Sequence, residues 1–202
     1  MPFYEINGLV PVVDPTAFVH PTAILTGDVI VGPRCYVGPA ASLRGDFGRI
    51  VVEEGANIQD TCMLHGFPGK DTVVGAGSTI GHGAVLHGCV VGRGALVGMN
   101  CVVNDNAEVG EDAVVAALAF VKAEDAIPAR SLAVGIPAKV VRTLSSQELR
   151  WKKDNMHLYQ QLAVRSASTM KLVDALTEVE VNRKRIEIPG AIPLSELKKT
   201  HA

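Results

Sequence analysis

Close to every sixth residue from Val19 to Val121 is Val, Leu or Ile: Val19, Leu25, Val31, Val37 and Leu43, then Val52, Ile58 and Leu64, then Val74, Ile80, Leu86, Val91, Val97, Val103, Val109, Val115 and Val121. Gly often follows, as at Gly32, Gly75, Gly81 and Gly98, and the fifth place of the hexad is small, as at Cys35, Ala41, Cys62, Ala84 and Cys101. An α-helix would need apolar residues at offsets of three and four. These short aliphatic pieces are instead broken by Gly, Asn and Asp, so strands are predicted. A period this short predicts an all-β solenoid. Three hexads make an 18-residue coil with three flat sides, in which the aliphatic side chain points inward and the small residue fits a corner. Such coils stack about 4.8 Å apart. The repeat by itself does not fix their hand.

The flanking segments read differently. Residues 1–17 contain Pro2, Pro11 and Pro15, which disfavour helix, and are expected as an extended lead-in to a β-helix over 18–143. Ser145 and Glu148 have capping-box spacing. They open an expected helix over about 146–173, within a C-terminal helical segment 144–181. Leu149, Met156, Tyr159, Ala163 and Met170 roughly share one face, to pack against the prism or a neighbouring subunit. Residues 182–202 turn basic at Arg183-Lys184-Arg185 and then carry Pro189 and Pro193. They are expected as a tail that is disordered or orders on contact.

Composition narrows the function. With 202 residues, 48% hydrophobic but only 4% aromatic, the chain can form one sizeable domain with a core of small aliphatics. A net charge of −2 gives no reason to expect a nucleic-acid or anionic-membrane partner. The start shows no basic segment followed by an apolar run, so a cytoplasmic location is the expectation. The four cysteines lack Cys-x-x-Cys spacing, and Cys35, Cys62 and Cys101 take the small corner place. They are expected to be buried small hydrophobes rather than ligands.

The repeat also places the candidate chemistry. His65 follows Leu64 and His87 follows Leu86, so both take the second place of a hexad, one coil apart on the same side. A loop insertion around Phe67 to Asp71 lies between them. Two imidazoles stacked outward about 5 Å apart can share a metal ion. His82 takes the third place of its hexad on another side, out of easy reach of that ion within its own subunit. If identical prisms pack around a threefold axis, His82 of one subunit faces the His65/His87 pair of the next. The expected assembly is therefore a closed homotrimer with metal sites shared between adjacent subunits. By the same count Arg44 lies one coil below His65 and Asp60 one coil below His82. The same packing would bring Arg44 of one subunit to Asp60 of another as an interface ion pair.

Leu43-Arg44-Gly45-Asp46, Asn57-Ile58-Gln59-Asp60, Leu64-His65-Gly66 and Ile80-Gly81-His82-Gly83-Ala84-Val85-Leu86-His87-Gly88 closely resemble the γ-class carbonic anhydrase family over about 20–140. Within that family, Gly45-Asp46-Phe47-Gly48-Arg49-Ile50, Val97-Gly98-Met99-Asn100 and Trp151-Lys152-Lys153 resemble the branch of phenylacetic acid degradation and carnitine operon proteins over nearly the whole chain. The resemblance implies a left-handed parallel β-helix of hexapeptide repeats followed by a C-terminal α-helix. It also implies His65, His82 and His87 as metal ligands, Arg44 and Asp60 as the interface pair, and Gln59 with Asn57 as candidates for orienting water at the metal.

Three neutral nitrogen ligands leave an open position, and Zn²⁺ there can supply hydroxide at neutral pH to attack a carbonyl carbon. Fe²⁺ and Co²⁺ suit the same donors. Three functions stay open. The branch resemblance implies a thioesterase acting on acyl-CoA in phenylacetate-type catabolism, with Phe47 and Phe67 as apolar neighbours for the acyl group. The wider family implies CO₂ hydration, which calls for a proton-exporting group, and here Phe47 follows Asp46 while the 66–73 loop offers only Asp71. A metal-free hexapeptide acyltransferase, or a non-catalytic accessory protein of an acyl-CoA pathway, is the third.

Overall fold

The computed structural model describes residues 2–188 and 196. The chain winds into a parallel β-solenoid of about seven turns followed by a single helix. All seventeen hexad aliphatics from Val19 to Val121 are buried and form one continuous column. Cys35, Ala41, Cys62, Ala84 and Cys101 fill the corners beside it. The four cysteines are free and buried. Burial pushes the Cys35 and Cys62 thiols up to about 11 and that of Cys89 to about 12, so they pack as small hydrophobes rather than react.

Coil follows coil because the corner is a left-handed residue in the fourth place of the hexad. Asn100, Asn106, Asp112, Leu118, Glu124 and Arg130 all have φ between 54° and 65°. Non-glycine residues resist that conformation by roughly 1–2 kcal/mol each. Here each N–H is turned onto a carbonyl of the coil below, as in Asn100 N to His82 O at 2.9 Å and Leu118 N to Met99 O at 2.9 Å. The ladder of such bonds holds the corners in place.

One side of the prism is an eight-stranded sheet. It runs from Phe18–Val19 through Tyr36–Val37, Asn57–Ile58, Thr79–Ile80, Leu96–Val97 and Val114–Val115 to Ser131–Val134, with Lys139–Thr143 added antiparallel. That reversal ends the stack of parallel coils. The other two sides are joined through Ile24–Val31 and Ser42–Val52 into one twelve-stranded sheet. The long strands Ile24–Val31 and Ser42–Val52 pass the corner between them in extended conformation, with a register shift between Gly27 and Val29. The lead-in joins the same sheet, since Phe3–Tyr4 and Val12–Val13 pair with Ile24–Val31.

The helix spans Ser146–Thr169 and opens on the capping box of Ser145 and Glu148. It ends four residues before the expected 173, so Met170 is its C-cap and not part of its buried face. The hydroxyls of Ser168 and Thr169 turn back onto the carbonyls of Val164 and Arg165, the competition that makes such residues poor helix interior. Tyr159 and Ala163 pack on Phe18 and Tyr36. Lys152 is also buried, with its Nζ donating to Asp112 Oδ1 at 2.6 Å and to the Gly94 carbonyl. No helix among the described residues is long and apolar enough to cross a membrane. Residues 170–188 carry no strand or helix, and Pro189 and Pro193 lie outside the described residues.

Candidate metal centre

Strands Ser42–Val52, Met63–His65 and Val85–His87 are parallel neighbours, and their register sets Arg44, His65 and His87 in one outward column. Thr72, wholly buried, fixes the local backbone by donating to the His65 carbonyl at 2.7 Å and accepting from Gly88 N at 2.9 Å. His65 Nδ1 lies 3.0 Å from His87 Nε2. The far nitrogen of each ring is held by a carboxylate: His65 Nε2 by Asp46 Oδ1 at 3.0 Å, and His87 Nδ1 by Asp105. Neither aspartate had a role in the sequence reading. The signal for Asp105 was partly available, because Leu86 pairs with Val103 one coil on, which puts Asp105 one residue beyond the position opposite His87.

These contacts decide the tautomers. A carboxylate only accepts, so His65 Nε2 and His87 Nδ1 carry protons, and in the neutral rings the facing nitrogens carry lone pairs. Burial pushes the His65 imidazole below its ordinary 6.5, outweighing the opposite pull of Asp46. Burial would raise Asp46 itself, but hydrogen bonds from Arg44 and His65 together hold its carboxyl below the usual range. Two lone pairs at 3.0 Å repel unless a cation or a shared proton lies between them. Two nitrogens bound to zinc at ~2.0–2.1 Å with a tetrahedral angle stand about 3.3 Å apart. The pair therefore fits a metal with a small opening of the rings. Among the described residues, no three His, Cys, Asp or Glu side chains of one chain are arranged to hold an ion.

His82 is on the corner that leaves the eight-stranded side, directly after Gly81. Its Nδ1 is held by Asp60 Oδ2 at 2.9 Å, which leaves Nε2 without a hydrogen-bond partner among the described residues. All three histidines thus have one nitrogen on an aspartate. Within the chain Asp60 is engaged by His82, and Arg44 Nη1 by Asp46 Oδ2 at 2.6 Å. The Arg44–Asp60 contact expected between subunits is not one that a single chain can make.

Gln59 and Asn57 are buried side by side behind His82. Asn57 Nδ2 donates to Thr79 Oγ1 at 2.9 Å, and its Oδ1 accepts from Gln59 Nε2 at 3.2 Å. Gln59 Oε1 accepts from the His82 backbone N–H at 3.2 Å. This chain fixes the Gln59 amide and leaves it one N–H to offer. Gln59 and His82 also border a groove of about 470 Å³ whose other wall is the C-terminal helix, with Leu96, Val114, Leu132, Trp151 and Tyr159 along it. Burial raises the Tyr159 phenol to about 12.

Comparison with known proteins agrees with this architecture. Residues 88–123 match the family described as bacterial transferase hexapeptide (six repeats). Over 187 residues the chain is 54% identical to the carnitine operon proteins CaiE of Salmonella newport and Salmonella heidelberg, covering 93% of this chain and 94% of each relative. A hexapeptide transferase family protein from Anaplasma phagocytophilum superposes with a TM-score of 0.78 at 34% identity, covering 81% of this chain and 96% of that one. A Bacillus cereus protein provisionally named an acetyltransferase gives 0.79 at 31% identity, over 80% and 94%. The chain belongs to the hexapeptide-repeat family, among the relatives of the carnitine operon protein CaiE.

Proposed function

We propose that the protein is a metal-dependent thioesterase that hydrolyses acyl-CoA thioesters. In this reading it works as a homotrimer in which His65 and His87 of one subunit and His82 of the next hold the ion. The observation that carries the reading is the facing pair of ring nitrogens at 3.0 Å, each left with a lone pair by the aspartate behind its ring. His82, prepared by Asp60 in the same way and outward on a different side, supplies the third donor where prisms meet. A zinc ion held by three imidazoles supplies Lewis acidity that makes a nucleophile of water near neutral pH. The same donor set also suits Fe²⁺ or Co²⁺.

The chain's own groups do the rest. Asp46, Asp60 and Asp105 keep the histidines in the tautomer that presents a lone pair to the ion. Gln59, locked by Asn57 and by the His82 backbone, keeps one N–H unused, which in this reading orients an attacking water or steadies the carbonyl oxygen. Asn57 has both N–H groups occupied by Thr79 and the Ser78 carbonyl, so it positions Gln59 rather than touching substrate.

The test is thiol release from a panel of CoA thioesters by zinc-loaded protein. Turnover is expected with stoichiometric metal, lost on chelation or in His87→Ala, and restored by zinc in the wild type. Fully loaded protein that releases no thiol but hydrates CO₂ would transfer the centre to carbonic anhydrase chemistry. The transferase description of the family favours one other reading, acyl transfer with a histidine as base. That reading expects no stoichiometric metal and thiol release only when an acceptor amine or alcohol is added.

A further inference from the structure

Two phenylalanines stand against the two stacked histidines. The Phe47 ring lies 5.6 Å from His65, tilted by 46°, and the Phe67 ring stacks on His87 at 5.8 Å and 26°. Phe67 is half-buried, while Phe47 is 63% exposed in the single chain, a large apolar side chain beside the candidate centre. Both rings come from segments that depart from the hexad rhythm. Phe47 is on the extended crossing of Ser42–Val52, and Phe67 opens the insertion before Thr72.

The frame that carries them is stiff. Phe67-Pro68-Gly69-Lys70 closes with Lys70 N on Phe67 O at 3.1 Å and φ of +79° at Gly69, the pattern of a turn with Pro second and Gly third. This turn sits directly on the Phe47 segment. A Cβ on Gly48 would be 2.6 Å from Lys70 O and 2.7 Å from Phe67 O, so the two backbones touch there as only glycine permits. At Gly88 a Cβ would meet Phe67 Cε1 at 3.1 Å, which would disturb the ring lying on His87. The two backbones that carry the rings are therefore held against each other, and Phe67 is held against His87, so a ligand spends little order on assembling the segments.

We propose that Phe47 and Phe67 form an aromatic wall that selects thioesters with apolar acyl groups, a proposal that rests on the thioesterase reading. A carbonyl placed at the open nitrogens of His65 and His87 would carry its acyl substituent across the Phe47 face, where water is displaced from both. The nearest charges are opposite and paired, Arg44 Nη1 with Asp46 Oδ2, which lessens their competition for this surface. A one-carbon substrate such as CO₂ has nothing to lay on the wall.

The experiment uses zinc-loaded wild type, Phe47→Ala, Phe47→Leu, Phe67→Leu and Leu132→Ala, with acetyl-, butanoyl- and hexanoyl-CoA. Wild-type kcat/KM is expected to rise with acyl length, and Phe47→Ala to lower the hexanoyl-to-acetyl ratio by about 10-fold or more, mainly through KM. Phe47→Leu and Phe67→Leu should keep most of the ratio. Calorimetric titration with hexanoate and with acetate reads the wall without turnover, and the preference for hexanoate should vanish in Phe47→Ala. If the wild type cleaves no thioester yet binds hexanoate in this Phe47-dependent way, the wall stands and only the thioesterase reading fails. An unchanged hexanoyl-to-acetyl ratio in Phe47→Ala overturns the proposal, as does a ratio lost only in Leu132→Ala, which would put the acyl group in the helix groove. Dissociation of Phe47→Ala into monomers would do the same, since the ring would then be packing for a second copy.

Discussion

His65 Nδ1 and His87 Nε2 face each other at 3.0 Å although 22 residues separate them in the chain. The contact follows from the register of Met63–His65 on Val85–His87, which opposes the two residues directly. The carboxylates of Asp46 and Asp105 then turn a pair of surface imidazoles into a pair of convergent lone pairs. That polarity is the source of the metal proposal, and it can be probed one carboxylate at a time.

Asp105→Asn replaces a carboxylate that can only accept from His87 Nδ1 with an amide of the same shape that can turn its own N–H onto that nitrogen. The ring is then free to present a proton toward His65, and zinc affinity should fall by about 10–100-fold. Competition with a chromophoric chelator measures it. Stability should change little, because the side chain is one-third exposed. An unaltered affinity would mean that the aspartate does not set the tautomer.

A shared site predicts complementation between inactive chains. His82→Ala retains the His65/His87 pair, and His87→Ala retains His82, so in any mixed closed trimer one interface regains all three ligands. Activity of about one-third of wild type per mixed trimer is expected. Verified mixed trimers without any recovery would rule out ligands donated across the interface.

The inward column was legible in the sequence because a six-residue aliphatic period survives only if each turn buries its residue, from Val19 to Val121. The stacking of His65 on His87 was legible for the same reason, since counting coils is counting neighbours. The fusion of two sides into one sheet was not, because the nine-residue step from Leu43 to Val52 breaks the count without saying which conformation the extra residues take. Asp46 sits on that step. Lys152 escaped too, since a lysine on a mixed helix face reads as solvated. Its burial depends on a carboxylate and a carbonyl brought from two successive coils, at Asp112 and Gly94.

The start of the helix should respond to acid. Hydrogen bonds from Arg142, together with the Ser145 cap, hold the Glu148 carboxyl at about 2 against an ordinary 4.5. The folded value lies below the unfolded one, so this contribution is complete above about pH 4.5 and is lost as the pH falls toward 2. Arg142 is 44% exposed, so solvent screens the pair and its worth is about 1 kcal/mol. Glu148→Gln should lower stability by that amount at pH 7. The difference between the two unfolding curves should close between pH 4.5 and 2. A constant difference across that window would show that the charge of Glu148 is not what matters.

Lys152 should pin the helix to the solenoid. Its ammonium is 5% exposed and bonds both Asp112 and the Gly94 carbonyl, so Lys152→Met keeps the stem in place but strips two acceptors of their donor. Asp112 is 32% exposed and regains some water, which moderates the loss to about 1–3 kcal/mol. That loss falls on the docked helix rather than on the hexad core, which makes no use of Lys152. Trp151, the single tryptophan, lies next to it on the groove wall and reports the docking of the helix. On heating, Lys152→Met should shift tryptophan emission to the red several degrees before the β-sheet circular dichroism signal collapses. In the wild type the two transitions should lie closer together. Coincident transitions in Lys152→Met, lowered together, would show that helix and solenoid unfold as one unit and that the lysine stabilises the whole molecule.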